Sequence, residues 1–250
     1  MARYDFRSPR LHVEHPLQAG AAVPLASPQA HYLKDVLRLK PGDRVLVFNG
    51  RDGEWHGRLD AAGKRSLALQ IETQTRPQSA GNDLHYLFAP LKRARLDYMV
   101  QKAVEMGVAR LAPVMTRHTQ AERVNIERMR ANAIEAAEQC GILRLPEIAA
   151  PAALADALAA LAPERVLVFC DEDAPIADPV AALAAAAGAS ALAVLVGPEG
   201  GFAAEEREML LARRNIVRLA LGPRILRADT AAVAALALVQ TVLGDWRDRS

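Results

Sequence analysis

The spacing of hydrophobic positions changes part-way along this chain. Over the first 72 residues the apolar runs are short. Val45–Phe48, Glu54–Leu59 and Ser66–Ile71 read as strands, separated by the turn dipeptides Asn49-Gly50, Asp52-Gly53 and Ala62-Gly63. One helix, Pro28–Leu39, precedes Pro41-Gly42-Asp43, a stop followed by a turn. Short strands with tight turns predict a small β-barrel. Thr73–Asn82 (TQTRPQSAGN) is polar with Pro and Gly and reads as a linker. From Leu84 onward apolar runs alternate with stretches of helical period. Strands are expected at Leu84–Ala89, Leu111–Met115, Val166–Phe169, Leu192–Val196 and Ile216–Leu221. Helices are expected at Asp97–Met106, Asn125–Gln139, Leu154–Leu161, Pro179–Ala187, Ala203–Arg213 and Asp229–Leu243. The last is apolar on nearly every face, which predicts burial. This alternation predicts an α/β domain built on a parallel sheet with helices on both sides. The expected division is a barrel over residues 1–72, a linker over 73–83 and the α/β domain over 84–250.

Charge modifies this picture locally. The net charge is only +2, so the bulk balance does not point to nucleic acid, but the basic residues are grouped. Arg3, Arg7 and Arg10 crowd the N-terminus, Arg38 lies at the end of the first helix, and Lys92, Arg93 and Arg95 form a further group. Such clusters suit phosphate contacts, although a solvated face has the same composition. Cys140 and Cys170 form no CxxC pair and sit among apolar residues, so both are expected to be buried thiols with no metal. His12 and His15 have an HxxH spacing but lie in an Arg-flanked, strand-like stretch, and there is no HExxH. The charged start has no apolar stretch of a signal peptide, and no run is long enough to span a membrane. The expected location is cytoplasmic.

The candidate chemistry lies in two C-terminal loops. Leu195–Phe202 (LVGPEGGF) and Leu221–Ala231 (LGPRILRADTA) each run from a strand through Gly and Pro into a helix. Two such loops at the ends of neighbouring parallel strands would form two walls of one pocket. In the first, Gly197-Pro198-Glu199-Gly200-Gly201 leaves backbone groups exposed to bond a flat heterocycle or a carboxylate. A tight turn needing positive φ is the alternative reading of that segment. In the second, Arg224 and Arg227 flank apolar Ile225 and Leu226, so an aromatic ring can be sandwiched while an arginine meets a carbonyl or phosphate. Asp229-Thr230 reads as a helix cap. There is no GxGxxG, GxxxxGK[ST] or GxSxG, which argues against the usual dinucleotide, nucleoside-triphosphate and serine-hydrolase sites.

These two segments resemble the C-terminal signature of the SPOUT methyltransferases and, more narrowly, the branch that methylates uridine N3 in small-subunit ribosomal RNA. Lys92–Gln120, Glu135–Gly141 and His31–Asp43 are similar to that family's middle and N-terminal segments. The resemblance implies a knotted parallel-sheet domain with a deep trefoil knot, preceded by a PUA-like β-barrel that binds RNA. It implies S-adenosylmethionine as cofactor, held by Leu195, Val196, Gly197, Pro198, Glu199, Gly200, Gly201, Leu221, Gly222, Ile225, Leu226 and Arg227. It also implies a homodimer packed through the knotted domains, and N3-methyluridine in 16S ribosomal RNA as product. Uridine N3 must lose a proton before it attacks a methyl group, so the site needs a base or a cation that stabilises the uracil anion. Arg227 (or Arg224) is the candidate cation, and Glu199 or Asp229 the candidate base. Two positions depart from the family pattern. Ala228-Asp229 stands where Thr-Glu is expected, and Ile142 stands where Arg is common. The alternatives are a SPOUT enzyme acting on transfer RNA or a ribose 2′-hydroxyl, and a non-catalytic ribosome assembly factor of the same fold.

Overall fold

A computed structural model describes residues 7–61, 66–121 and 123–247. The chain divides into two units, one of residues 1–80 with 137–144 and one of residues 81–136 with 145–250.

The first unit contains β1 (Arg10–His12), β2 (Ala22–Pro24), α1 (Ser27–His31), β3 (Arg44–Phe48), β4 (Glu54–Ala61) and β5 (Leu67–Arg76). The sheet order is β1-β3-β4-β5-β2; β1 pairs with β3 in parallel and the other pairs are antiparallel. Val45, Val47, Leu59, Leu69 and Ile71 alternate inward and pack with Leu11, Val23 and Leu33. The expected helix to Leu39 is shorter: α1 passes into one wider π-type turn, Tyr32–Val36. It then closes with Arg38 at φ 59 and the Leu39 N–H on the Leu33 carbonyl at 2.9 Å. Strands β1 and β2 have three residues each, too few to show a period. The stretch read as a linker starts inside β5, which continues to Arg76 opposite Glu54.

The second unit contains β6 (Asp83–Phe88), α2 (Arg93–Glu105), β7 (Arg110–Met115), α3 (Ile126–Cys140), β8 (Glu147–Ile148), β9 (Ala152–Ala153) and α4 (Leu154–Ala159). It continues with β10 (Val166–Cys170), α5 (Pro179–Ala184), β11 (Ala191–Val196), α6 (Ala204–Leu211), β12 (Ile216–Leu219) and α7 (Ala228–Val242). The sheet order is β12-β10-β11-β6-β7-β8, with β9 also on β7, and every pairing is parallel. Leu87, Val114, Leu167, Phe169, Ala193 and Leu195 meet Leu154 and Leu158 of α4 and Leu210 of α6. Tyr86 points to the opposite face, where its hydroxyl meets the Met99 sulfur of α2 at 3.1 Å. Helix α7 packs against α2 and α5. Its one buried polar side chain among the described residues, Gln240, donates to the Met106 carbonyl at 2.6 Å and accepts from Asn82 at 3.1 Å. Among the described residues no helix is long and apolar enough to cross a membrane.

Helix α3 ends within the first unit, and two arginines receive its terminal carbonyls. Arg10 is buried against Phe48, with its guanidinium 4.1 Å from the ring centroid. It donates to Glu54 at 2.7 Å and to the carbonyls of Ala137, Glu138 and Ile142. Arg76 donates to Glu54 at 2.6 Å and to the Gly141 carbonyl at 2.9 Å. Two cations thus satisfy carbonyls at the negative end of a helix dipole. This corrects the expectation that Arg10 contacts RNA: a long apolar stem between β1 and a helix end carries the charge inward. Burial pushes the Glu54 carboxyl up, but hydrogen bonds from Arg76 and Arg10 outweigh it and hold it below its ordinary value. Cys140 is exposed, against expectation, because it occupies the last turn of α3.

Candidate active site

Parallel pairing puts the C-terminal ends of all the sheet's strands on one edge. Three loops leave that edge around a cleft of about 510 Å³, lined by residues 170–172 after β10, 196–202 after β11 and 219–226 after β12. That volume suits a small-molecule ligand. The two glycine loops do not follow neighbouring strands as expected. Strand β10 runs between β11 and β12 and supplies a third wall that the sequence did not disclose.

The glycines of the first loop serve different ends. Gly201 (φ +67) closes a tight turn in which its N–H meets the Pro198 carbonyl at 2.9 Å. Gly197 has no positive φ; a Cβ there would stand 2.5 Å from the Phe202 ring. That ring sits edge-on to Phe169, with centroids 5.3 Å apart, and cannot retreat freely. The loop after β7 braces the turn. His118 Nδ1 lies 3.0 Å from the Gly200 carbonyl and 3.2 Å from that of Gly201, so its N–H donates to them. The Arg117 and Ala203 N–H groups meet the Glu206 carboxylate at 2.9 and 3.0 Å. His118 was not singled out from sequence, because it is 82 residues away along the chain.

The third wall is fixed by Asp171, whose side chain is fully buried. Arg207 donates to it at 2.6 and 3.1 Å and Arg218 at 2.6 Å. Arg218 also donates to the Asp173 carbonyl. Burial raises the Asp171 pKa, but the hydrogen bonds from Arg207 and Arg218 prevail and the carboxyl stays below its ordinary value. Burial pushes the neighbouring Cys170 thiol up to about 12, so it remains protonated and unreactive.

In the loop after β12, Gly222 has φ +91 and Ile225 is 89% exposed. The cap of α7 is Arg227, not Asp229. Asp229 sits in the first turn, where its carboxylate accepts the Thr230 N–H at 2.9 Å and favours the positive helix end. Arg95 lies between the two acidic candidates, 3.0 Å from Glu199 and 4.0 Å from Asp229. It was read as an RNA contact, and the fold gives it these carboxylates instead.

Of the residues read as ligand-binding, Val196, Gly197, Pro198, Glu199, Gly200, Gly201, Leu221, Gly222, Ile225 and Leu226 line the cleft. Leu195 packs in the core, and Arg227 and Asp229 stand beyond the lining. The sequence reading did not place Cys170, Asp171, Glu172 or Leu219 at the site; their only signal was their place at or just past the end of a strand. Of the RNA candidates, Arg7, Arg38, Lys92 and Arg93 are exposed, and Arg3 lies outside the described residues. Among the described residues no three His, Cys, Asp or Glu side chains are placed to hold a metal ion.

Loops at the strand ends of a parallel sheet, following a small β-unit, define a class. A family model described as RNA methyltransferase domain matches residues 78–240, and one described as RNA methyltransferase PUA domain matches residues 25–72. The chain is 32% identical to ribosomal RNA small subunit methyltransferase E of Rickettsia conorii over 92% of its own length and 94% of that protein's. It therefore belongs to the ribosomal RNA small subunit methyltransferase E family of RNA methyltransferases. The Neisseria gonorrhoeae structure of that name, bound to S-adenosyl methionine, has a TM-score of 0.85 and 26% identity, covering 96% of this chain and 100% of the other. A putative methyltransferase from Legionella pneumophila, in complex with the bound cofactor, has a TM-score of 0.80 and 26% identity over 96% of this chain and 99% of the other.

Proposed function

We propose that this chain transfers a methyl group from S-adenosylmethionine to N3 of a uridine in 16S ribosomal RNA of the small ribosomal subunit. The observation that carries the reading is the cleft itself. Gly201 and Gly222 line it, and a Cβ at either would meet nothing within 4 Å, so bare backbone faces open space. A flat nucleoside fits such walls, with the β10 loop as the third side and with Ile225 and Leu226 offering apolar contact. When bound, the cofactor supplies an already activated methyl on a cationic sulfur.

The chain's own residues have three tasks. The glycine loops, Val196 and Pro198 hold the nucleoside through main chain and shape. Glu199 or Asp229 takes the N3 proton, and Arg95 keeps both carboxylates at the site. Arg227, exposed at the start of α7, faces the uracil oxygens and stabilises the anion left behind. The uridine must be unpaired, since N3 lies on the pairing edge. The supporting relatives are named for small-subunit ribosomal RNA. We place the enzyme in the cytoplasm with that substrate. The sheet domain carries the threaded trefoil topology that the family resemblance implies, and the enzyme works as a homodimer. Support for the dimer is the face of α7 along Val233, Ala234, Ala237, Leu238 and Val242, which is apolar yet only half-buried.

The decisive test incubates the chain with labelled S-adenosylmethionine and unmodified small ribosomal subunits, then maps the product by reverse transcription. Label in 16S RNA with a polymerase stop at one uridine is expected. Label without a stop would point to the ribose, and no label to an assembly factor. Arg227→Ala should lower turnover about a hundredfold with little change in cofactor affinity.

A further inference from the structure

Unused positive charge on the C-terminal strand edge carries one more inference. The cations near the cleft fall into paired and unpaired groups. Arg95, Arg128, Arg207 and Arg218 are committed to Glu199, Asp97 and Asp171. Lys92 and Arg93 after β6, and Arg117 and Arg123 after β7, are exposed and form no side-chain ion pair among the described residues. Both segments touch the glycine loop, one through Arg95 in the first turn of α2 to Glu199 and the other through His118 to Gly200. The four cations therefore flank one side of the cleft. Glu127, Glu172, Asp178 and Glu205 are exposed acids on that edge that form no ion pair among the described residues, and they are fewer than the free cations once Arg224 and Arg227 are counted. Arg93 also has φ 33, a strained conformation for a side-chain-bearing residue at a helix start.

Resting on the RNA methyltransferase reading above, we infer that Lys92, Arg93, Arg117 and Arg123 form a phosphate-binding strip for single-stranded RNA beside the cofactor cleft. The strip belongs to the sheet unit itself. It takes the backbone of the strand flanking the target nucleotide, without reading its bases. Arg117 and Arg123 were not among the residues that the sequence marked for RNA. They are separated by five positions, none of them Lys or Arg, and only the loop after β7 brings them to this edge.

The test measures binding of fluorescently labelled oligouridine to the full-length chain over a range of salt concentrations. Each phosphate contact to a single strand contributes about 0.7 to the slope of log affinity against log salt. The double variant Arg117→Ala/Arg123→Ala should flatten the slope by about 1.4 and weaken binding at low salt by about tenfold or more. Arg117→Lys/Arg123→Lys should keep most of the slope. Arg214→Ala, on the loop before β12 at the opposite edge, should change neither. Calorimetry should show unchanged S-adenosylmethionine affinity in every variant. An alanine double variant with wild-type slope and affinity overturns the strip, even if the wild type methylates ribosomal RNA. Loss of dimer in sedimentation with an unchanged slope also overturns it and assigns the patch to a second copy of the chain. A wild type that binds oligouridine with the expected slopes but transfers no methyl leaves the strip standing and defeats the methyltransferase reading instead.

Discussion

Single side chains around the glycine loop set its shape, and two of them can be tested directly. Gly197 is glycine because of Phe202, not because of its backbone angle, since a Cβ would enter the ring at 2.5 Å. Gly197→Ala should cost about 1–3 kcal/mol in denaturant unfolding and should weaken cofactor binding as the loop shifts. His118 holds the carbonyls of Gly200 and Gly201 by one ring N–H. His118→Ala should raise the cofactor dissociation constant by about five- to tenfold, a loss of about 1 kcal/mol, with turnover at saturation little changed. His118→Asn, which keeps a donor at nearly the same place, should restore most of the affinity. At this scale the sequence showed residue types but not their partners. The LVGPEGGF segment marked the loop, while Phe202 and His118 acquired their parts only through contacts.

At the scale of elements, the β10 loop depends on one buried carboxylate shared by α6 and β12. Asp171 receives Arg207 from the helix and Arg218 from the strand, so it ties three elements at the cleft floor. Its folded pKa is depressed. Its stabilising contribution is therefore present above the unfolded carboxyl value, about 3.9, and is lost as pH falls through the lower folded value. Wild-type stability should fall on acidification through that range. Asp171→Asn should cost about 3–5 kcal/mol at neutral pH and flatten the acid limb, as urea titrations at several pH values would show. Element type was largely legible here because the apolar runs of β10 and β11 are continuous and those of β6, β7 and β12 only briefly broken, as in a parallel sheet covered on both faces. Strands β8 and β9, of two residues each, were not, since no period exists over two positions. Neighbour relations were hidden too. Nothing in the one-dimensional pattern says that β11 adds between β10 and β6 rather than beyond them.

For the whole molecule, the unresolved demand is the half-buried apolar face of α7. The sequence predicted burial from an apolar helix, and the fold leaves Val233, Ala234, Ala237 and Leu238 partly uncovered after α2 and α5 have packed. If that face meets a second copy, Leu238→Glu should convert a dimer into a monomer in analytical ultracentrifugation, because an unpaired carboxylate would be buried at its centre. A dimeric Leu238→Glu protein would place the interface elsewhere.

What the sequence determined by itself was the kind of protein. The change of period after residue 72 and the two glycine loops suffice for a small β-unit ahead of a parallel-sheet domain with a loop-lined cleft, and the resemblance of those loops to the SPOUT signature adds the RNA methyltransferase reading. Those features are local, and each is written in consecutive residues. Only the tertiary structure decided which charges are spent and which are free. Arg10 turned inward to a helix end, Arg95 went to two carboxylates, and Arg117 and Arg123 stayed exposed beside the cleft. A guanidinium has the same identity in each case. Its role follows from what stands within about 3 Å, and that distance is set by residues far apart in the chain.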